Sequence, residues 1–181
     1  ALPAIERLDS IEAFSARVKE MAKTAQWASA YYGNELTAAT ESARLSLPIG
    51  GDLFSAGVTE DEAEQALLPL LEADCPKALY NVKTMRTESM RGEIADVMLA
   101  AYALNPQRES FSAEALCQAE GIEDFAAHSA QAIHELSEIQ ARQLKETGLG
   151  RIYSEIELPL SNVLRDMERA GFLVDADALE T

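Results

Sequence analysis

The residues able to do chemistry in this chain are few and scattered. Acids crowd at Glu60, Asp61, Glu62 and Glu64. Directly behind Thr59 they read as the first turns of a capped helix, where carboxylates favour the helix dipole. Nothing else converges on them to make a catalytic carboxylate pair. His128 and His134 lie six positions apart, on different faces of a helix, which argues against a two-histidine metal site. Cys75 and Cys117 are far apart, with no C-x-x-C spacing and no histidine companion. That excludes a disulfide framework and a cysteine-based zinc site, and it fits a reducing, cytoplasmic compartment. The chain has no G-x-x-x-x-G-K-S/T or G-x-G-x-x-G loop to cradle phosphate, and no Ser or Cys in a nucleophile motif. Tyr31 and Tyr32 could stack bases, but neighbouring aromatics on a strand more often serve the core and the surface. Lys77, Lys83, Arg86 and Arg91 form one basic island, opposed locally by Glu88 and Glu93. It is the one candidate for a weak phosphate contact. Asp96 precedes an apolar run and caps it.

Composition narrows the classes further. Fifteen Lys plus Arg against 31 Asp plus Glu give a net charge of −16, so the surface on average repels a nucleic-acid backbone. Hydrophobic residues make up 48% of the 181, enough to bury a core. The longest apolar run, Val97 to Leu104, has eight residues, whereas a membrane span needs about 20. No positively charged stretch with an apolar core follows Ala1, so no signal peptide is expected in these residues. Asp177 to Glu180 reads as a capping box one residue from the end, so the chain is expected to be a piece of a longer polypeptide.

The elements that must hold these residues follow from periodicity and turn chemistry. Ile5 to Ala25 reads as an amphipathic helix, capped at Asp9, with Ile11, Phe14, Val18 and Met21 on one face. Gln26–Tyr32, Ala43–Leu47 and Asp52–Gly57 read as an antiparallel meander divided by Gly33-Asn34 and Pro48 to Gly51. A helix begins in the capping box Thr59–Glu62 and carries Ala63, Ala66, Leu67, Leu70 and Leu71. Short strands are predicted at Lys77–Asn81 and Gly92–Ala95, with one or two helical turns from Val82 to Met90 between them. The helix Val97–Leu104 stops at Asn105-Pro106. From Phe111 onward the pattern is helical. Ser112 caps a short helix, apolar residues from Ile122 to Leu144 run to a C′ glycine at Gly148, and Pro159 bends or breaks the last helix, which Gly171 ends. Strands alternating with helices after a meander imply a mixed sheet covered by helices.

Two stretches carry a family resemblance. Glu155-Ile-Glu157-Leu-Pro159-Leu160, continuing through Val163-Leu164, Met167-Glu168, Gly171 and Val174-Asp175, resembles the junction at which family A DNA polymerases pass from the exonuclease domain into the polymerase domain. Leu67–Glu72, Lys77–Lys83 and Ala95–Pro106 resemble, in the same order, the middle of that family's 3′–5′ exonuclease domain. The resemblance implies an α/β, ribonuclease H-like fold: a five-stranded mixed sheet flanked by helices, with C-terminal helices leading into a polymerase domain. Residues 1–150 would then be the exonuclease-like domain and 151–181 the start of the polymerase domain.

The same resemblance implies where an active site would lie. The family cleaves phosphodiesters with two divalent metals about 4 Å apart. It holds them with carboxylates in an Asp-x-Glu on the first strand, an Asp four residues after an Asn, and a Tyr-x-x-x-Asp on a late helix. Here those positions match Ala30 and Tyr32, Met85 (four after Asn81) and Ala132 (four after His128). No acid occurs between Gln26 and Gly33. The expectation is therefore a structural, non-catalytic domain with no metal or cofactor of its own. DNA synthesis and Mg²⁺ would belong to the polymerase domain of the parent chain. That domain would be the partner, DNA would be met through it, and no membrane is involved. Two alternatives remain: an acidic helical protein-interaction module, or an active exonuclease with relocated acids such as Glu35, Glu41 or Asp52.

Overall fold

The structure, a computed structural model, describes residues 2–50, 57–85 and 89–171. The polypeptide runs β1 (Ile5–Arg7), α1 (Ile11–Ala22), β2 (Ala28–Tyr32), β3 (Glu35–Ala39), β4 (Arg44–Pro48), α2 (Glu60–Leu71) and β5 (Lys77–Leu79). It continues through a 3-10 turn (Val82–Thr84), β6 (Ile94–Asp96), α3 (Val97–Leu104), α4 (Ala113–Ala119) and α5 (Ser129–Glu146). The last unit is α6 (Gly150–Ile152), a π-helical turn (Tyr153–Glu157) and α7 (Leu158–Ala170).

The strands form one mixed sheet in the order β1-β4-β3-β2-β5-β6. β2, β3 and β4 are the antiparallel meander, while β5 pairs parallel to β2, β6 to β5, and β1 to β4. Among the described residues the sheet has six strands, not the expected five. The extra one is β1, in a segment read as part of the first helix. Three residues have no periodicity to read; their strand form comes from pairing Ile5, Glu6 and Arg7 with Arg44, Leu45 and Ser46. Arg17 of α1 clips Glu6 through both carboxylate oxygens at 2.8–2.9 Å. The first helix is capped by Ser10 rather than Asp9, Ser10 Oγ accepting from Ala13 N at 3.2 Å.

β3 was also hidden. Leu36, Thr37, Ala38 and Ala39 are all buried, so the polar–apolar alternation of a half-exposed strand is absent. The strand expected at Asp52–Gly57 falls mainly outside the described residues. The helical run expected from Ile122 to Leu144 begins only at Ser129, because α4 ends before Gly121 (φ +77°) and a turn intervenes. The Thr59–Glu62 capping box, the Ser112 cap and Gly148 in the left-handed region (φ +72°) stand as the sequence implied.

Two cores flank the sheet. Phe14, Val18, Leu67 and Leu70 of α1 and α2 pack on Ala30, Leu36 and Leu45. Val97, Leu116, Ile133 and Leu136 of α3, α4 and α5 pack on the other side with Ala78. Period-two alternation along β2 therefore sends Ala30 and Tyr32 to one core and Tyr31 to the other. A buried polar seam joins sheet to α5. Thr37 Oγ1 accepts from Ala130 N at 3.0 Å, and His128 Nε2 lies 3.0 Å from Leu45 O.

Candidate functional site

Three of the four positions that the resemblance assigns to carboxylates come together. Ala30, at 1% exposure on β2, Tyr32 at the end of that strand, and Met85 after the 3-10 turn line one cavity of about 330 Å³. It lies where the parallel strands β2 and β5 end, the usual ligand-binding end of such strands. Tyr80, Asn81 and, from α2, Glu60 share its walls. The fourth position, Ala132, is buried on α5 among Ala78, Leu116 and Ile133 and does not line it. Tyr32 donates its hydroxyl to Val58 O at 2.8 Å, and Tyr31 packs edge-on to Tyr80 and Phe125. Both tyrosines thus have structural partners. Asn81 is the one non-glycine residue in the left-handed region among the described residues (φ +53°).

The acids proposed as substitutes do not gather there. Glu35 accepts from the Ser46 hydroxyl and Glu41 from Gln26 N at 3.1 Å, while Asp52 lies outside the described residues. Among the described residues no three His, Cys, Asp or Glu side chains are grouped to hold a metal ion.

Asp96 does more than cap a helix. Its carboxylate accepts from Met98 N and Leu99 N at the start of α3, and from Asn81 N (3.1 Å) and Val82 N (2.8 Å) at the start of the 3-10 turn. Four backbone donors converge on one group that is 2% exposed. Burial raises its pKa above the ordinary value, and the four N–H donors oppose that rise. The sequence implied a cap on α3, and the bonds to Met98 N and Leu99 N provide it. The bonds to Asn81 and Val82 needed the tertiary fold.

The basic island does not form as expected. Lys77 is 3% exposed, and its Nζ donates to the carbonyl oxygens of Ala73, Cys75 and Arg91. An ammonium spent on three carbonyls is closed to phosphate. Burial also lowers its pKa. Lys83 pairs with Glu168 of α7 at 2.7 Å, Arg91 is exposed, and Arg86 lies outside the described residues.

The histidines have separate roles. His128 is the N-cap of α5, its Nδ1 accepting from Gln131 N at 3.2 Å, which places the hydrogen on the Nε2 that faces Leu45 O. His134 stacks on Trp27 with ring centroids 3.6 Å apart and planes 1° apart. Both cysteines are buried and free, and burial pushes Cys117 up to about 12.

The C-terminal helix shows a feature that periodicity cannot assign. Ile152, Ile156, Leu160, Val163, Leu164 and Met167 recur at helical spacing on one face, yet all are between 41% and 63% exposed. Tyr153, Leu158 and Ser161 meet the body, and Glu168 reaches it through Lys83. Pro159 sits in the first turn of α7, and the irregularity expected of it is carried by the π-helical turn just before.

Among solved structures, the chain matches one described as the POL domain of Pol1 from M. smegmatis in complex with DNA primer-template and dNTP. The TM-score is 0.66 at 24% identity, over 96% of this chain and 33% of that one. The two share a fold. This chain spans about a third of that neighbour's length. No family model matches the sequence, and no curated protein does. No helix among the described residues is long and apolar enough to cross a membrane.

Proposed function

We propose that this chain is a non-catalytic, exonuclease-like domain of a family A DNA polymerase, ribonuclease H-like in fold. Its role is to brace the polymerase domain of the same polypeptide. One observation carries the reading. The framework that resembles the exonuclease is kept, while Ala30, Tyr32, Met85 and Ala132 stand where the resemblance puts carboxylates. Two dications need hard oxygen ligands to replace lost hydration and to offset their mutual repulsion. Methyl, thioether and phenol groups supply neither.

The contiguous strands β4-β3-β2-β5-β6, with helices on both faces, support the ribonuclease H-like part of the reading. The likeness to the mycobacterial Pol1 chain, in a complex with primer-template and dNTP, supports the polymerase part. Residues 1–150 form the exonuclease-like domain in this reading, and 151–181 begin the polymerase domain. The exposed apolar face of α7 is its bracing surface. Template-directed synthesis and its Mg²⁺ belong to the polymerase domain, and contact of this domain with DNA is weak or none.

The test is a nuclease assay with single-stranded DNA and Mn²⁺. The expected result is no cleavage above background. Cleavage that EDTA abolishes, and that follows the protein through purification, overturns the proposal.

A further inference from the structure

Six of the eight large hydrophobic side chains exposed among the described residues lie between Ile152 and Met167. Exposed apolar residues scattered singly need no explanation, but a concentration on one helix face marks a contact surface. Within it, Ile156, Leu160, Val163 and Met167 follow one another at spacings of four, three and four. That is the heptad spacing, which lets a second helix seat its side chains along a narrow seam. At 1.5 Å per residue the seam is about 17 Å long, so a helix of three turns or more covers it.

The charges around the seam have one sign. The helical repeat puts Glu157 and Glu168 along one border and Asp166 along the other, while Arg165 and Arg169 fall on the opposite side of the helix. Lys83 reaches Glu168 and Arg165 lies 3.7 Å from Asp166, yet the two acids keep side-chain exposures of 61% and 68%. Exposed pairs of this kind hold their partners weakly. A second copy of this chain is therefore a poor partner. In either direction it lays acidic borders against acidic borders, and it brings together two bodies of charge −16.

We propose that the seam Ile156–Met167 docks an amphipathic helix whose own apolar stripe is flanked by Lys or Arg. Apolar contact along the seam supplies the affinity, and Glu157, Asp166 and Glu168 select the partner by charge. In the intact polypeptide the polymerase domain supplies this helix, a statement that rests on the bracing role proposed above.

Fluorescence anisotropy on the 181-residue chain at physiological ionic strength tests it, with three labelled peptides of three heptads each. One has a leucine seam flanked by lysine, one the same seam flanked by glutamate, and one the lysine-flanked composition with its seam scrambled. The expected result is saturable binding of the lysine-flanked seam, at least about tenfold tighter than either of the others. Val163→Glu with Met167→Glu abolishes that binding with an unchanged circular dichroism spectrum. Glu157→Lys with Asp166→Lys brings the lysine-flanked and glutamate-flanked peptides to within about threefold of each other. Absence of saturable binding, equal affinity for the glutamate-flanked or the scrambled peptide, undiminished binding in Val163→Glu with Met167→Glu, or an unchanged preference in Glu157→Lys with Asp166→Lys overturns the proposal. So does a dimer in sedimentation equilibrium that Val163→Glu with Met167→Glu dissociates, since the seam is then a self-contact. Failure here is distinct from failure of the proposed function, because the nuclease assay reads the metal site and is blind to α7.

Discussion

The Tyr153 hydroxyl takes both outward-facing backbone groups of Asp96, accepting from its N–H at 2.8 Å and donating to its carbonyl at 3.2 Å. Asp96 ends β6, the edge strand, and one side chain from the C-terminal helix stands in for a missing neighbour strand. Tyr153→Phe leaves a buried donor and acceptor unpaired. We expect a loss of about 2 kcal/mol in urea unfolding, with hydrogen exchange at Asp96 N accelerated. A loss below about 0.5 kcal/mol, the range of an ordinary surface change, would show that the bond contributes nothing.

Asp96→Ala removes the acceptor for four N–H groups at once. Charge-assisted bonds of this kind contribute about 1.5–3 kcal/mol each in isolation but do not add. A combined loss of at least about 3 kcal/mol is expected, measured by chemical denaturation. The double variant with Tyr153→Phe should lose less than the sum of the singles, since both act on one residue.

Gly92 and Gly121 separate two kinds of glycine requirement. Each has φ +77°. A Cβ on Gly92 would overlap the carbonyl carbon and oxygen of Cys75, whereas one on Gly121 meets nothing within 4 Å. Gly121→Ala should cost about 1–2 kcal/mol, the strain of a left-handed L-residue. Gly92→Ala should cost clearly more and loosen the carbonyl cage around Lys77, which includes Cys75 and Arg91. Equal melting temperatures for the two variants would refute the overlap.

Burial lowers the pKa of both His128 and His134 from 6.5, against the pull of Glu138 and Glu135 on the latter. The folded state then binds fewer protons than the unfolded one below pH 6.5. Their contribution to stability is complete above pH 6.5 and is lost as pH falls through the folded values. Urea midpoints should therefore fall between pH 7 and pH 5, and His134→Gln should flatten part of that fall. Trp27 is the single tryptophan, so its emission should change with the titration of the ring stacked on it. An emission curve flat across this range in the wild type would contradict that link.

The exposed face of α7 gives an opposite expectation. Val163 and Met167 are 53% and 63% exposed, so Val163→Glu with Met167→Glu should leave the stability of this chain within about 0.5 kcal/mol. Solubility should rise. In the intact polypeptide of the proposed function, the same pair should weaken packing against the polymerase domain, read as a lower melting temperature of the whole. Marked destabilisation of the 181-residue chain alone would mean that the face is already in use.

What sequence could determine here was local. Thr59 and Glu62 cap each other, Ser112 opens α4, and Gly148 closes α5 because these bonds span only a few residues. The absence of acids from Gln26 to Gly33 was equally plain. Tertiary structure decided the rest. It paired Ile5–Arg7 with β4, buried all of Leu36–Ala39 so that no alternation remained, and turned the Lys77 ammonium inward onto three carbonyls. It gathered Ala30, Tyr32 and Met85 around one cavity and left Ala132 in a different core. It also set the apolar face of α7 in solvent. Periodicity shows that a helix has two faces, but which one is covered depends on what packs against it from distant parts of the chain.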